Sequence, residues 1–432
     1  MNPRHIIILG GGVIGICAAY YLARRGERVT VIDRGAFDTA ASTGNAGIIA
    51  LGHPPMPRPG LVGQTLKMLL DPANPLYVPP RLDLDLIRWM WDFRKACTES
   101  HFRHSMKILA ELGWATGECF DQLVEEENLD CEYHRTGWLD VFATQKRFDQ
   151  GVSEAQLLQS YGYNVDILTG DELRRREPAF TAHVLGAAHY TDSRFANPQR
   201  FLAELADRAA RRGATLRTRS EVKSIRMSNR TFTGVELDTG EQISGDLLVL
   251  AGGAWTTHLA RSIGVNVPMQ PGKGYHINLT KPTPCVSTTC VLAETFVAVT
   301  PIGGGLRLAG TVEFSGINHR MVQQRLDRLR AGARQYLHDI DGQHETSTWC
   351  GLRPCTADGL PVIGWAPNSS NVFVATGHAM MGFALAPVTG RMLSECILDS
   401  RPEPEPLSPR RYVRKRSVQQ GVTRHTAPAR MS

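Results

Sequence analysis

The sequence of 432 residues lacks several patterns that would place it in a particular class of protein. No stretch of eighteen uninterrupted apolar residues occurs, so no membrane-spanning helix is predicted. The nine cysteines are odd in number and include no C-x-x-C pair, which argues against a disulfide framework and a zinc knuckle. Reduced thiols fit a cytoplasmic protein. The net charge of +6 is modest, and we expect no nucleic-acid partner. There is no internal repeat.

Much of the positive charge lies at the C-terminal end of the chain. Residues 409–416 read Pro-Arg-Arg-Tyr-Val-Arg-Lys-Arg, and residues 413–432 are basic and poor in large apolar side chains. This composition predicts a solvated, disordered tail. The alternative is attraction to an anionic membrane surface, which would make the protein peripheral at the inner membrane.

The N-terminal segment carries the most informative motif. An apolar strand pattern runs into the triplet Gly10, Gly12 and Gly15, and a second apolar strand ends at Asp33. This is the G-x-G-x-x-G spacing of a strand, turn and helix that bind a dinucleotide, with an acid for the ribose 2′-OH. The free N–H groups of the helix N-terminus receive the pyrophosphate. Neighbouring residues expected to contact the cofactor are Val13, Ile14 and Arg34.

The strand and helix patterns predict an α/β protein with two domains. Buried-strand patterns at residues 246–255 and 371–375 suggest that a Rossmann-like sheet receives strands from separated parts of the chain. Helical patterns at 83–128 and alternating strands at 292–314 suggest a second, mixed α+β domain built on an antiparallel sheet. The predicted segments are 1–53, 186–265 and 345–412 for the dinucleotide domain, and 54–185 and 266–344 for the second domain.

Four motifs in order make the chain, up to about residue 412, resemble the glycine and D-amino-acid oxidase superfamily of FAD enzymes. They are the glycine triplet, the small-residue loop at 41–49, the segment 349–364 with its Gly-Leu-Arg-Pro sequence, and the segment 376–387 that opens with Thr-Gly-His. The chain looks most similar to bacterial D-amino acid dehydrogenases, including the D-hydroxyproline dehydrogenase branch. The resemblance therefore implies FAD rather than NAD.

The resemblance also implies how FAD is held. Gly351 stands where sarcosine oxidases carry the cysteine that links the flavin, which favours non-covalent FAD, although Cys350 lies beside it. Backbone N–H groups of the loop at 376–383 would stabilise the reduced, anionic flavin. The further cofactor contacts implied are Ser42, Thr43, Asn45, Ala46, Gly47, Val222, Ala251, Gly252, Trp255, Gly351, Gly377, His378, Met380, Met381 and Gly382.

Three residues are candidates for substrate contact. Arg353, the arginine of the Gly-Leu-Arg-Pro segment, would clamp the substrate carboxylate with its guanidinium fork. The alternative is a structural ion pair with Asp358 or Glu345. Tyr275 could add a hydroxyl to the same carboxylate, or only pack in a strand. His53 follows the flavin-side loop and could contact substrate, or only cap a turn.

The chemistry implied is oxidation of a D-amino acid, with hydride transfer from Cα to flavin N5. The imino acid then hydrolyses to a 2-oxo acid and ammonia, whereas D-proline or cis-4-hydroxy-D-proline would give a cyclic imine. Electrons would pass to a quinone or another carrier. The alternatives are an oxygen-using oxidase of glycine or sarcosine, a flavin subunit of a larger dehydrogenase, and an NAD enzyme. The segment 86–91 (Leu-Ile-Arg-Trp-Met-Trp) could contact a membrane or pack as an ordinary helix.

Overall fold

A computed structural model of the chain describes residues 3–61 and 74–413. Of the predicted tail at 413–432, all but Val413 lies outside the described residues, as does part of the proline-rich stretch after residue 53. Within the described ranges, every helix is too short or too polar to cross a membrane.

The helices agree well with the periodic apolar patterns of the sequence. The described α-helices are α1 (Val13–Arg24), α2 (Leu84–Ala96), α3 (Glu99–Glu127), α4 (Gln145–Gln159), α5 (Gly170–Arg176), α6 (Pro198–Arg211), α7 (Thr256–Ser262), α8 (Gln323–Arg334) and α9 (Ala386–Leu398).

The strands form two large sheets and two small ones. The described strands are β1 (His5–Leu9), β2 (Arg28–Ile32), β3 (Ile48–Ile49), β4 (Leu76–Tyr77), β5 (Trp138–Phe142), β6 (Val165–Thr169), β7 (Gly186–Tyr190), β8 (Arg194–Phe195), β9 (Thr215–Arg217), β10 (Val222–Ser228), β11 (Thr231–Leu237), β12 (Gln242–Ser244), β13 (Leu247–Leu250), β14 (Met269–Leu279), β15 (Cys290–Leu292), β16 (Val297–Ile302), β17 (Gly305–Glu313), β18 (Glu345–Thr356), β19 (Val362–Trp365) and β20 (Val372–Thr376).

The first large sheet has the strand order β19-β20-β13-β1-β2-β9. All neighbouring strands are parallel except β19, which pairs antiparallel with β20. Strands β1 and β13 are buried along their whole length, because helices or loops cover both faces. Helix α1 packs between this sheet and helices α6 and α9. Because strands from both ends and the middle of the chain meet here, the predicted Rossmann-like fold is confirmed.

The glycine turn after β1 explains two residues of the fingerprint. Gly10 has a φ of 113°, and a Cβ there would lie 2.4 Å from the carbonyl oxygen of Ala251 at the end of β13. A Cβ at Gly15 would lie 1.9 Å from the carbonyl oxygen of Gly10. Both positions therefore require glycine for α1 to start close against the sheet.

The second large sheet has the order β18-β14-β17-β16-β15-β5-β7-β6, with β4 added beside β17. Most neighbours are antiparallel, and the β15–β5 and β17–β4 pairs are parallel. Helix α8 covers one face, where the buried side chains form a separate core cluster. The predicted mixed α+β fold on an antiparallel sheet is therefore present.

Two stretches differ from the predicted domain boundaries. Strand β7 pairs with β5 and β6, and β18 pairs with β14, so residues 186–190 and 345–356 belong to the second sheet. The sequence placed both in the dinucleotide domain. An apolar strand pattern shows that a segment is buried but does not identify the strand beside it. The remaining division of the chain stays a prediction.

Candidate cofactor and substrate site

A cavity of about 3340 Å³ lies at the carboxyl ends of β1, β2 and β13 and extends over one face of the second sheet. Ligands of open α/β sheets bind at this end of the strands. The predicted residues that line it are Gly10, Gly12, Val13, Ile14, Asp33, Arg34, Ser42, Asn45, Ala46, Val222, Ala251, Gly252, Trp255, Gly351, His378, Met380, Met381, Gly382, Arg353, Tyr275 and His53. The other predicted site residues, which do not line the cavity, are Gly15, Thr43, Gly47 and Gly377. Of these, Thr43 is held by a hydrogen bond from its hydroxyl to the Asp38 carbonyl.

The N-terminus of α1 fits a pyrophosphate. Its N-cap residue, Gly12, offers no side-chain cap, and the first turn holds no acidic residue. The backbone N–H of Val13 donates to Ser42 Oγ at 3.0 Å, which brings a hydroxyl to the same end of the helix. The positive end of the helix dipole is therefore not neutralised by an acid of its own first turn, and it faces the cavity.

Asp33, the residue predicted to bind the ribose, lies at the wall of the cavity. Its carboxylate accepts hydrogen bonds from the backbone N–H of Gly11 at 2.6 Å and of Gly35 at 2.8 Å. These two bonds hold the carboxylate at the cavity wall and leave acceptor positions for ribose hydroxyls. Beside it, the Arg34 guanidinium lies 4.1 Å from the ring centroid of Trp255.

The loop expected beside the flavin is anchored from the second sheet. Arg307 Nη1 donates to the Asn45 carbonyl at 2.7 Å, and His276 Nδ1 donates to the Gly44 carbonyl at 2.9 Å. Burial lowers the pKa of His276 to about 3, with a further contribution from Arg307, so the ring is neutral. Trp349 stacks on this ring with centroids 5.1 Å apart. The loop carbonyls are therefore held in place from the β14 and β17 side.

The loop at 376–383 supplies a largely apolar wall. Within it, Met380 and Met381 line the cavity together with His378. His378 Nε2 lies 3.0 Å from Thr389 Oγ1, and burial lowers the pKa of His378 to about 3. The other ring nitrogen is buried without a hydrogen-bond partner in the described part of the chain. His378 is thus a neutral imidazole, and its contact with the edge of the flavin stays a prediction.

Arg353 is positioned by strand alternation and by two unusual neighbours. It shares a face of β18 with Trp349 and Gly351, and all three line the cavity. Its guanidinium lies over Gly274, where a Cβ would stand 2.2 Å from Nη1. Nη1 donates to the Thr311 carbonyl at 2.9 Å. Thr311 has a φ of 61°, a strained conformation for a β-branched residue.

The structural ion pair considered for Arg353 does not form. Asp358 pairs with Arg411 at 2.8 Å, and Glu345 pairs with Arg330 at 3.3 Å. Among the described residues, Arg353 has no carboxylate partner, and burial lowers the pKa of its guanidinium. A half-buried guanidinium with free donors therefore faces the cavity, which is the arrangement that a bound carboxylate would complete.

Tyr275 departs from its predicted role. Its ring belongs to the core under α8, and its hydroxyl donates to Glu313 Oε2 at 2.8 Å. Glu313 also pairs with Lys273 at 3.0 Å and Arg325 at 3.1 Å. Burial alone raises the Glu313 pKa, but hydrogen bonds from hydroxyls and from Lys273 outweigh it and leave the pKa below its usual value. The hydroxyl expected at the substrate carboxylate is thus bonded inside a buried ionic cluster. Gly274 lies on the face of β14 under Arg353, so the next residue, Tyr275, points to the opposite face.

His53 lines the cavity, but its contacts are those of a turn. Its Nδ1 donates to the Pro54 carbonyl at 2.7 Å, so Nε2 is left as an acceptor. Burial, and then the nearby Arg58, lower the pKa of His53. Both roles given to His53 by the sequence are therefore compatible with its position, and contact with substrate stays a prediction.

The cysteines bear on how FAD is attached. All nine lie in the described part of the chain, and none lines the cavity. Cys350, which precedes Gly351, points to the opposite face of β18, where its Sγ lies 3.4 Å from the His319 carbonyl oxygen. Burial raises the pKa of this thiol. The protonated thiol is therefore turned away from the site, as non-covalent FAD requires.

Sequence reasoning missed a polar group at another part of the cavity wall. Trp138 and Asp140 on β5 face the cavity beside Tyr190 on β7. Residues 138–142 read Trp-Leu-Asp-Val-Phe, and the acid among four apolar residues was the signal available in the sequence. Nothing in the sequence indicated that this face would look into the same cavity as Arg353.

Comparison with known proteins agrees with this geometry. The family model described as FAD dependent oxidoreductase matches residues 5–396. A protein from Methylobacterium nodulans named D-amino acid dehydrogenase is 32% identical over 419 residues, covering 95% of this chain and 99% of the relative. Another of that name from Xanthobacter autotrophicus is 32% identical over 406 residues, covering 92% and 96%.

Solved structures share the fold at lower identity. Glycine oxidase from Geobacillus kaustophilus has a TM-score of 0.75 at 23% identity, covering 95% of this chain and 100% of that one. L-proline dehydrogenase from P. horikoshii has a TM-score of 0.75 at 18% identity, with coverage of 95% and 98%. The family model spans most of the chain, and the glycine turn, the helix N-terminus and Asp33 form a site that fits FAD. The chain therefore belongs to the family of FAD-dependent oxidoreductases.

Proposed function

We propose that this enzyme oxidises D-amino acids and passes the electrons to a quinone or another carrier. The observation that carries the proposal is Arg353, a cavity-facing guanidinium with no carboxylate partner among the described residues. A planar fork of N–H donors suits the carboxylate that all amino acids share. Two relatives named D-amino acid dehydrogenase support the D configuration.

The residues of this chain bind and orient the substrate. Arg353 would hold the carboxylate, and the carbonyl of Thr311 fixes the guanidinium from behind. The apolar wall of Met380 and Met381 excludes water from the reacting Cα. FAD, when bound, supplies the acceptor for the α-hydrogen as a hydride at N5. Because burial lowers the pKa of His378, this histidine is neutral and places no second positive charge beside Arg353.

Several alternatives remain for the electron acceptor and for the amino acid that is oxidised. The alternatives are D-proline or cis-4-hydroxy-D-proline as a cyclic substrate, oxidation of glycine or sarcosine with oxygen, and service as a flavin subunit of a larger dehydrogenase. Lys273, a charge that could promote a reaction with oxygen, is engaged by Glu313 and lies outside the described cavity wall. This placement favours a carrier over oxygen.

Peripheral membrane contact is also proposed, through helix α2. Its buried side contains Trp89, whose indole donates to the Cys355 carbonyl at 2.9 Å, so the helix is packed on one face. On the other face, Ile87 and Trp91 are more than half exposed. Lys95 Nζ lies 5.5 Å from the Trp91 ring centroid. This mixture of exposed apolar, aromatic and basic side chains is typical of helices at a membrane interface.

The proposal is tested by anaerobic bleaching of the visible flavin absorbance. The panel contains D-alanine, D-proline, cis-4-hydroxy-D-proline, their L-forms, glycine and sarcosine. We expect bleaching by D-forms only, with little re-oxidation when air is admitted and rapid re-oxidation by a soluble quinone. Bleaching by glycine or sarcosine alone would move the assignment to the oxidases. A flavin that no compound in the panel bleaches would contradict the proposal for the isolated chain.

A further inference from the structure

A second polar cluster lies in a part of the cavity away from Arg353 and the methionine wall. It consists of Trp138 and Asp140 on β5, Tyr190 on β7, Glu154 on α4, and Arg58, and all five line the cavity. Glu154 pairs with Arg58 at 3.0 Å. We call these five residues the distal cluster.

Within the distal cluster, the side-chain carboxyl of Asp140 has no hydrogen bond or ion pair in the described part of the chain. Burial, together with the negative charge of Glu154, raises the pKa of Asp140 to about 8, while Arg58 lowers it. A cation placed at short range from this carboxyl would restore its ionised form, because an opposite charge favours the charged state.

Trp138 is an independent sign that the cluster is incomplete. Its side chain is only 8% exposed, and its Nε1–H has no hydrogen-bond acceptor among the described residues. Buried indole N–H groups normally have a partner. The ring stacks on Tyr190 with centroids 4.7 Å apart and an angle of 13° between the planes. The distal cluster therefore offers two aromatic rings and an unused acid on one wall, beside a buried indole N–H that has no acceptor among the described residues.

The wall between Asp140 and Arg353 is smooth and apolar. Asp140 lies opposite Val291, Val291 opposite Ala298, and Ala298 opposite Ala309, in one row across four strands. All of them line the cavity. Two residues beyond Ala309 on β17 is Thr311, the residue that holds the Arg353 guanidinium. Small side chains thus lead from the carboxylate clamp to the distal cluster.

The length of this row limits what can bridge it. Three strand spacings of about 4.8 Å, which is about 14 Å, separate Asp140 from Ala309, and Thr311 lies about 7 Å further along β17, so the diagonal from Asp140 to Thr311 is about 16 Å. Two hydrogen bonds of about 2.9 Å, one at each end, leave about 10 Å for the ligand itself. An extended amino acid with the side-chain length of arginine or lysine fits this span, and its methylene groups would lie on the alanine and valine floor.

We propose that the distal cluster is a specificity subsite for the cationic end of the substrate side chain, so that D-arginine and D-lysine are preferred substrates. This inference rests on the proposed function and names its substrate class. The cation would lie against the Trp138 and Tyr190 rings and pair with Asp140. The ionised Asp140 carboxylate would then also be able to accept from Trp138 Nε1.

The charges that face Asp140 support a cationic ligand. Glu154 is the other acid, Arg58 is the one base in the distal cluster, and the neighbouring His53 is neutral because burial lowers its pKa. With both acids ionised the group carries one uncompensated negative charge, which a guanidinium or ammonium cancels. Since Asp140 must lose its proton to pair, the KM for D-arginine should fall as the pH rises toward about 8.

The test compares D-arginine and D-lysine with D-norleucine, a neutral substrate that has the four-carbon stem of lysine. The holoenzyme is assayed as wild type, as Asp140→Asn, and as Asp166→Asn, the control that removes an exposed acid from β6. We expect Asp140→Asn to lower kcat/KM for D-arginine by about 10- to 100-fold, from the loss of a charge-assisted hydrogen bond. The value for D-norleucine should stay unchanged, and Asp166→Asn should affect neither.

An equal loss for both substrates, or a wild type that does not prefer D-arginine, would overturn the subsite while D-alanine still bleaches the flavin. If no D-amino acid bleaches the flavin, the proposed function fails and the subsite fails with it. Trp138→Phe serves as a second variant should Asp140→Asn not fold. It keeps the aromatic face and should raise the KM for D-arginine alone by about fivefold.

Discussion

Replacing Arg353 by methionine tests the central feature of the site. Methionine keeps the length of the unbranched stem and removes the charge and all of the N–H donors. One donor of the guanidinium is used by Thr311, so the others can form two charge-assisted hydrogen bonds to a substrate carboxylate. At about 1.5–3 kcal/mol each, their loss amounts to about 3–6 kcal/mol. We therefore expect kcat/KM for D-alanine to fall by about 10²- to 10⁴-fold.

Stability should respond in a different way from activity. Arg353 is desolvated without a carboxylate partner, so the folded protein gains little from its charge. We expect Arg353→Met to leave Tm nearly unchanged. The matched control is Arg330→Met on α8, which removes a guanidinium paired with Glu345 and bonded to the Ile340 and Gln343 carbonyls. That variant should lower Tm and keep kcat/KM.

The assay is steady-state reduction of an artificial electron acceptor, with Tm followed by flavin fluorescence. Arg353→Lys serves as an intermediate case, since it keeps the charge and loses the fork; it should recover part of the activity of Arg353→Met. The reasoning would be refuted if Arg353→Met kept kcat/KM within about threefold of wild type, a change well below 1.4 kcal/mol. It would also fail if Arg330→Met lost activity to the same extent.

Three further predictions concern the ionic cluster and the cofactor. Glu313→Gln removes the acid that pairs with two buried cations and should lower the free energy of unfolding by about 3–5 kcal/mol at neutral pH, measured by chemical denaturation. The pKa of Glu313 is depressed in the folded state. The difference from wild type should therefore shrink as the pH falls from the unfolded pKa of about 4.3 through the folded pKa. Asp33→Asn should weaken FAD binding by about 10- to 100-fold in an apoenzyme titration, and unchanged affinity would remove Asp33 from the ribose site. Cys350→Ser should leave the FAD content unchanged, with all flavin released from wild type by acid precipitation; flavin that stays with the protein pellet would contradict the non-covalent assignment.

The sequence was most informative where a residue acts through its own backbone or its neighbours in the chain. Gly10, Gly15 and Asp33 could be assigned because a strand, a turn and a helix in immediate succession leave one geometry for them. Arg353 was found through its motif, and alternation along β18 was enough to place it on the same face as Gly351. Such local rules do not depend on which strand lies next to which.

Tyr275 and Asp140 show where these rules stop. The sequence could assign Tyr275 to a strand, but it could not show which face of that strand lies toward the substrate. In the structure Tyr275 lies on the face covered by α8, where its hydroxyl donates to Glu313. Asp140 looked like an ordinary strand residue, because its importance depends on the row of Val291, Ala298 and Ala309 that joins it to the site.

The sequence by itself therefore determined the dinucleotide fold, which is written in contiguous residues with fixed spacing. Its resemblance to known FAD enzymes indicated the cofactor and made Arg353 the candidate for binding the carboxylate. Only the tertiary structure decided which charges are free. The sequence allowed Asp358 or Glu345 to pair with Arg353, but in the structure they pair with Arg411 and Arg330. Pairing between distant side chains depends on the register of strands and the packing of helices, and neither is encoded in the local pattern of the chain.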